Sequence, residues 1–266
     1  MRSIREKISF YLIFVLIIFT TIGCINDLTP SGGWSGFIDD GDYLYLGKPD
    51  GQLIRLSKNT GDLSLEWRYP VSEGLGAIYG TPRINDDTIF SAGYNCRGNV
   101  CNGRIFAVDL DSGEPLWTYP VDTKLIGSPG VNEDVLVIGT SSIGDSESSP
   151  GYLLALDISS ESRMGRELWR LPVAGPIWGG IVVEKDVAYF GTLDGTLYSV
   201  DISLEKRFEK KVEDRVRWTF RSNGAIAGTP LIAGGKILFG TFGNSFYSLD
   251  LAVRQTKTSD STLNPA

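Results

Sequence analysis

Residues 107–117 run Ala107-Val108-Asp109-Leu110-Asp111-Ser112-Gly113-Glu114-Pro115-Leu116-Trp117. An apolar run closes on an aspartate, a glycine supplies a turn, and a tryptophan follows in a second short run. This is the pattern of two strands joined by a polar connection. Outward from this stretch the tryptophan recurs: Trp67, Trp117, Trp169 and Trp218 are 50, 52 and 49 residues apart. Upstream of each lies an apolar run ending in glycine, Tyr43–Gly47, Thr88–Gly93, Val135–Gly139 and Val187–Gly191. A second run closes on a polar residue at Leu53–Ser57, Ile105–Asp109, Leu153–Asp157 and Leu197–Asp201. A fifth copy, Lys236–Gly240 and Phe246–Asp250, has no tryptophan after it. A fixed period of this length marks a repeat architecture.

Each run is short, rich in β-branched and aromatic residues, and bounded by turn formers, so each is a strand. Several are apolar at consecutive positions, as when both faces of a sheet are covered. Asp50-Gly51 and Asp194-Gly195 supply the chemistry of two-residue hairpin turns. The charged stretch Leu204–Val216 suits a short helix or a long hairpin loop. A further strand follows each small-residue step: Gly80-Thr81-Pro82, Gly127-Ser128-Pro129, Gly179-Gly180-Ile181 and Gly228-Thr229-Pro230. Four strands in roughly 50 residues is the arithmetic of a β-propeller blade. The expected fold is therefore an all-β propeller of about five four-stranded blades, the last short of one strand. That count leaves closure with five blades, dimerisation, or an open or truncated ring. The segment Ile25–Gly33 is a poor candidate for the missing strand because it holds Pro30 and two glycines.

The flanks set the compartment. A basic stretch, Met1–Lys7, precedes an apolar run from Ile8 to Gly23, the order of an export signal. Thr21-Ile22-Gly23-Cys24 resembles a bacterial lipoprotein box, with Thr21 where leucine is preferred. The resemblance makes Cys24 the lipidated first mature residue. The alternative is an uncleaved anchor, although the run is shorter than the ~20 residues of a typical span. The expected organisation is a signal peptide over 1–23, a lipidated N-terminus and linker over 24–33, the propeller over 34–250 and a disordered polar tail over 251–266. Net charge is −7, and the first 23 residues carry +2, which leaves −9 for the rest. An acidic body is unsuited to neutralising phosphates, so nucleic acid is not an expected partner. Cys96 and Cys101 lie in a polar stretch of an exported chain and are expected to form a loop disulfide. Two thiols alone do not complete a tetrahedral zinc shell.

The Ala107–Trp117 stretch is similar to the A-x-D-x-x-x-G-x-x-x-W repeat of the quinoprotein-type (PQQ-like) propellers, and the other copies match with departures. Ser57 replaces the aspartate in the first, and the turns before Trp169 and Trp218 are longer. The resemblance implies that Trp67, Trp117, Trp169 and Trp218 dock adjacent blades. It also brings a quinone and calcium into view, since enzymes of this family hold both on the propeller axis beside a catalytic aspartate. They are typically longer, and many carry a disulfide between adjacent cysteines. Here Asp109, Asp157, Asp201 and Asp250 are repeat positions at strand ends, which turn formation explains. No added carboxylate cluster has calcium-ligand spacing, and no acid stands out for paired-carboxylate hydrolysis. The chain has no histidine, which removes imidazole-based triads. No cofactor or catalytic residue is assigned.

Two connections are enlarged, Gly93–Gly103 and Gly139–Gly151. Both belong to the face on which the chain passes from blade to blade, and loops there carry function on a rigid scaffold. The residue before each small-residue step is Trp34, Tyr79, Ile126, Trp178 and Ala227. Trp34, Tyr79 and Trp178 form a candidate binding mouth, because aromatic residues are enriched at interfaces. The expected function is a lipid-anchored scaffold that binds an envelope protein, similar in repeat type to the propeller lipoprotein of the outer-membrane β-barrel assembly machinery. The alternative is a quinone- or calcium-dependent oxidoreductase or a small-ligand-binding propeller.

Overall fold

A computed structural model describes residues 35–48, 50–59, 61–70, 76–97, 100–141, 150–159, 165–204 and 211–251. The chain divides into Met1–Ser31, outside the described residues, and Gly32–Ala266, which holds the blades. Blade one is β1 (Phe37–Asp39), β2 (Tyr43–Gly47), β3 (Leu53–Ser57) and β4 (Ser64–Tyr69). Blade two is β5 (Arg83–Asn85), β6 (Thr88–Arg97), β7 (Val100–Asp109) and β8 (Pro115–Val121). Blade three is β9 (Gly130–Val131), β10 (Val135–Gly139), β11 (Gly151–Asp157) and β12 (Arg166–Val173). Blade four is β13 (Val182–Glu184), β14 (Val187–Gly191), β15 (Thr196–Asp201) and β16 (Val216–Arg221). Blade five is β17 (Leu231–Ala233), β18 (Lys236–Thr241) and β19 (Ser245–Asp250). Each sheet is an antiparallel meander in sequence order.

The core lies between blades, not within one. Alternate residues of each central strand point to opposite faces, and the forward face of one blade meets the back face of the next. Leu153, Ala155 and Trp169 of blade three cluster with Ala188, Phe190 and Val200 of blade four. Tyr189 and Leu197 of blade four cluster with Ile226, Ile237 and Phe239 of blade five. This two-sided burial explains the consecutive apolar residues in β10, β11 and β14, every one of which is buried.

The repeat tryptophans share one local device. In all four complete blades the pairing of the third and fourth strands shifts register beside the tryptophan: Trp67 opposite Arg55, Trp117 opposite Ala107, Trp169 opposite Ala155 and Trp218 opposite Ser199. A bulge bends the strand and re-aims the side chain. Trp67 then donates its Nε1–H to the Leu110 carbonyl of blade two at 3.1 Å. A Cβ on Gly113 (φ +74°) would lie 2.7 Å from that ring, and one on Gly165 (φ +59°) would lie 2.6 Å from the ring of Trp117. Each glycine therefore gives both a left-handed turn and a flat seat for the tryptophan of the preceding blade.

Two buried arginines reinforce these seats. Arg55 of blade one donates from Nη1 to the carbonyls of Leu110 and Asp111 at 3.1 and 2.9 Å, with its guanidinium 3.6 Å above the Tyr43 ring. Arg215, in the 3-10 turn Val212–Arg215, donates to the Asp201 and Ser203 carbonyls at 3.1 and 3.2 Å. It also lies 4.8 Å from the Trp169 ring centroid.

Blade five is the exception. A Cβ on Gly47, Gly139 or Gly191 would collide with Ile78, Ile177 or Ile226 of the next blade, whereas the matching Gly240 has nothing within 4 Å. Among the described residues no blade covers this face, so the ring is open after blade five.

Two details differ from the sequence reading. The expected two-residue turns are longer connections, between Gly47 and Leu53 and between Gly191 and Thr196. In them Gly51 (φ +81°) and Gly195 (φ +91°) take the left-handed region and the aspartates do not. The cysteine stretch, read as a loop, is an extension of β6 and β7 as a two-stranded ribbon with Cys96 opposite Cys101. Its residues alternate with no buried face, so polarity concealed the strand.

Candidate functional site

The inner rim is built from the small-residue steps. A Cβ on Gly80 would lie 2.5 Å from the Gly127 carbonyl oxygen, and one on Gly179 would lie 2.5 Å from that of Gly228. Gly127 faces the Gly179 carbonyl more closely still. Backbone thus stacks on backbone from blade to blade, and only glycine permits that approach. Hydroxyls stitch the same level. Ser128 Oγ accepts from the Thr81 amide and Thr229 Oγ1 from the Gly180 amide, both at 2.8 Å. Ser35 Oγ donates to the Gly80 carbonyl at 3.1 Å.

This ladder sets the residues that precede it along one rim. Tyr79 is half-buried and stacks on Tyr94, with centroids 5.6 Å apart and planes 20° apart. Tyr94 is held by a backbone bridge to Ala77, with N–O distances of 2.7 and 3.1 Å. Burial pushes the Tyr94 phenol above its ordinary range, and the hydrogen bond with Tyr79 adds to this. Trp178 is half-buried and donates its Nε1–H to Ser141 Oγ at 3.1 Å. Each aromatic is therefore tied to one of the enlarged connections, Tyr79 to the cysteine ribbon and Trp178 to the segment after β10. They stand two blades apart with Ile126 between. Trp34, the third residue expected at the mouth, lies outside the described residues, as do Cys24 and residues 142–149. Cys96 and Cys101 form a disulfide with S–S 2.05 Å.

The repeated aspartates lie at the opposite ends of the strands and act on their own turns. Asp109 Oδ1 accepts from the Ser112 amide and hydroxyl at 2.8 and 2.7 Å. Asp157 and Asp201 accept in the same way from Ser159 and Ser203. Arg166 and Arg217 of the neighbouring strand pair with Asp157 and Asp201 at 3.0 and 2.8 Å. Burial alone would raise the Asp201 carboxyl, but the bonds from Ser203 and Arg217 outweigh it and hold the group at about 2. A groove of about 570 Å³ on that face runs beside Lys185, Asp186, Arg217 and Gly235.

The family resemblance brings in a quinone held with calcium. The residues on the rim do not fit that group. Glycine backbone and the side chains of Tyr79, Ile126 and Trp178 occupy the level where carboxylates would be needed. Among the described residues no group of three or more acid or thiol side chains is placed to hold a metal ion.

Tyr94, Arg55 and Arg215 did not emerge from the sequence. Tyr94 lies two residues before Cys96, and only the ribbon brings it to the rim. A charged residue inside an apolar run, as at Arg55, was the available signal for a buried staple.

Comparison with known proteins adds the family. A profile described as outer membrane protein assembly factor BamB matches residues 26–159, 101–207 and 159–257. The assembly factor BamB of Pseudomonas aeruginosa is 28% identical over 80 residues, which are 29% of this chain and 19% of that protein. That of Vibrio cholerae is 29% identical over 82 residues, 28% and 19% of the two chains. The matches thus span about a fifth of the length of these relatives. The crystal structure of BamB from Moraxella catarrhalis superposes with a TM-score of 0.56 at 18% identity, over 83% of this chain and 61% of that one. Quinohemoprotein alcohol dehydrogenase from Comamonas testosteroni gives 0.58 at 13% identity, over 82% and 41%. At these identities both likenesses are of fold.

Proposed function

The chain belongs to the family described as outer membrane protein assembly factor BamB, and from that premise we propose that it is a non-catalytic scaffold, exported and held at the cell envelope by a lipid on Cys24. Its relatives are named as assembly factors for outer membrane proteins, and the partner proposed here is an envelope protein of such an assembly. The observation that carries this reading is the inner rim. Tyr79 stacked on Tyr94, and Trp178 beside Ser141, place partly exposed aromatic surface on a backbone ladder that holds it rigidly. Rigid aromatic anchors are the side chains that dominate protein interfaces. Trp34 belongs to the same proposal by its place in the repeat.

The test is mild crosslinking in the envelope followed by recovery of the full chain. A stoichiometric partner is expected, and changing Tyr79 and Trp178 together to alanine should lower its recovery at least tenfold while the chain stays folded by circular dichroism at the temperature of the assay. Undiminished recovery overturns the rim as the binding surface. A quinone absorbance with stoichiometric calcium in the purified protein overturns the scaffold reading itself.

A further inference from the structure

In blade two the central strands run on past the level at which the other blades turn. Ala92 faces Ile105 as Gly139 faces Leu153 and Gly191 faces Leu197. β10 and β14 end at those glycines, whereas β6 continues to Arg97 and pairs with a β7 that starts at Val100. The register holds along the whole extension, with Gly93 opposite Arg104, Asn95 opposite Asn102, Cys96 opposite Cys101 and Arg97 opposite Val100. Paired residues share a face, and the face alternates along a strand. The face of Phe90, Ala92 and Ile105 packs towards blade three and continues outward as Tyr94, Cys96 and Cys101. The face of Ile89 and Phe106 packs towards blade one. It continues outward as Arg104, then Asn95 and Asn102, then Arg97 and Val100. All five are exposed, Val100 by 65%.

This second face is basic and its charge is not neutralised. Residues 88–108 contain both arginines and no acid, in a chain of net charge −7. Among the described residues neither Arg97 nor Arg104 is in an ion pair. The root of the strip is anchored. Tyr69 of blade one packs on Phe106 with centroids 5.5 Å apart, and Arg104 opposes the rise that burial imposes on the Tyr69 phenol. The outer end buries nothing, and a two-stranded ribbon alone is marginal in water. The Cys96–Cys101 disulfide ties it together. A stiffened extension that the core does not need is pre-organised for recognition.

We propose that this face of the ribbon is a docking strip for an extended acidic segment of the partner polypeptide, with carboxylates four residues apart on Arg104 and Arg97 and a polar side chain between them on Asn95 and Asn102. It rests on the scaffold reading for the existence of a polypeptide partner, and adds that partner's chemistry. Gly93 and Arg97 are four residues apart on β6, so the pairs that carry the two arginines are about 13 Å apart along the ribbon. Positions i and i+4 of an extended chain are separated by the same distance and share a face. A guanidinium holds a carboxylate through two parallel N–H bonds, and the asparagine amides both donate and accept. A nucleic acid or an anionic lipid layer fits less well, because either brings its charge against the acidic body as well as the ribbon. A single strand meets the ribbon alone. The strip lies on the opposite face of the ribbon from Tyr94, so it is separate from the inner rim.

The test places a photo-crosslinking amino acid at Val100 of the full chain in the envelope and, in a second strain, at Ile126 on the rim. Captured peptides are mapped by mass spectrometry. From Val100 the expected capture is one peptide with carboxylates four residues apart. Arg97→Glu together with Arg104→Glu should lower its recovery at least tenfold, and changing the two partner acids to arginine should restore it. The neutral pair Arg97→Gln and Arg104→Gln should give an intermediate loss, and added salt should weaken capture by the parent chain. Both arginines are exposed, so all these chains should stay folded by circular dichroism. Capture from Ile126 alone overturns the ribbon strip and leaves the rim reading standing. Capture from Val100 alone overturns the rim and leaves the strip, and capture from neither overturns both. A captured peptide without the paired acids, or recovery unchanged by the charge reversal, overturns the strip. So does binding of the purified chain to phosphatidylglycerol vesicles that the same reversal abolishes, which assigns the arginines to a lipid surface.

Discussion

Gly191 and Gly240 occupy the same place in successive blades, and alanine at the two positions should have opposite outcomes. At Gly191 the new methyl would lie well inside van der Waals contact with Ile226, whose Cβ would be 2.4 Å away. Ordinary contact is 3.4 Å or more, so blades four and five must part by about 1 Å or Ile226 must leave its rotamer. Overpacking of this kind costs about 1–3 kcal/mol. At Gly240 nothing lies within 4 Å, and alanine restricts the unfolded chain, which stabilises by roughly 0.4–1 kcal/mol. The two variants should therefore differ by about 1.4–4 kcal/mol, or roughly 3–16 °C in melting temperature for a chain of this size. Urea denaturation of purified protein, with midpoint and slope fitted separately, measures the difference. If Gly240→Ala is as destabilising as Gly191→Ala, the last blade is covered in solution and the open ring is wrong. If neither matters, the backbone spacing between blades is not set by these glycines.

Trp117→Ala should remove the ring seated on Gly165 and cost about 2–3 kcal/mol, since the ring is only half-buried; urea denaturation again measures it, and loss of partner binding without loss of stability would contradict a docking role. Asp201 is held at about 2, below the ordinary 3.8, so its contribution is complete above about pH 4 and is lost as pH falls towards 2. Asp201→Asn should cost about 1–2 kcal/mol at pH 7, and the gap between the variant and the parent should narrow steadily below about pH 4 to a small remainder at pH 2 in melts across that range.

The blades were legible because the interface between them is written at fixed places. Tryptophan, the glycine after the second strand and the glycine step each recur for a physical reason, whether a bulge, a plug or a close backbone approach. The openness was half-legible. The missing tryptophan after Gly240 announced an unfinished blade, but only the exposure of Phe246 shows that no described residue covers that face. The cysteine ribbon was opaque because an exposed two-stranded extension buries neither face, so Tyr94 was not placed beside Tyr79. Arg55 and Arg215 were passed over because a charge is ordinarily solvated. Their burial depends on carbonyls and rings that come from residues distant in sequence.

The glycine ladder also bears on how the molecule comes apart. Each blade touches only its immediate neighbours, so the molecule behaves as a short linear array. Blades two to four each have a partner on both sides, whereas blades one and five each have one. Amide exchange and proteolysis should therefore begin at the two end blades and proceed inward, one unit of about 50 residues at a time. Since every junction repeats the same contacts, a whole unit can be gained or lost at an end without redesigning any junction that remains.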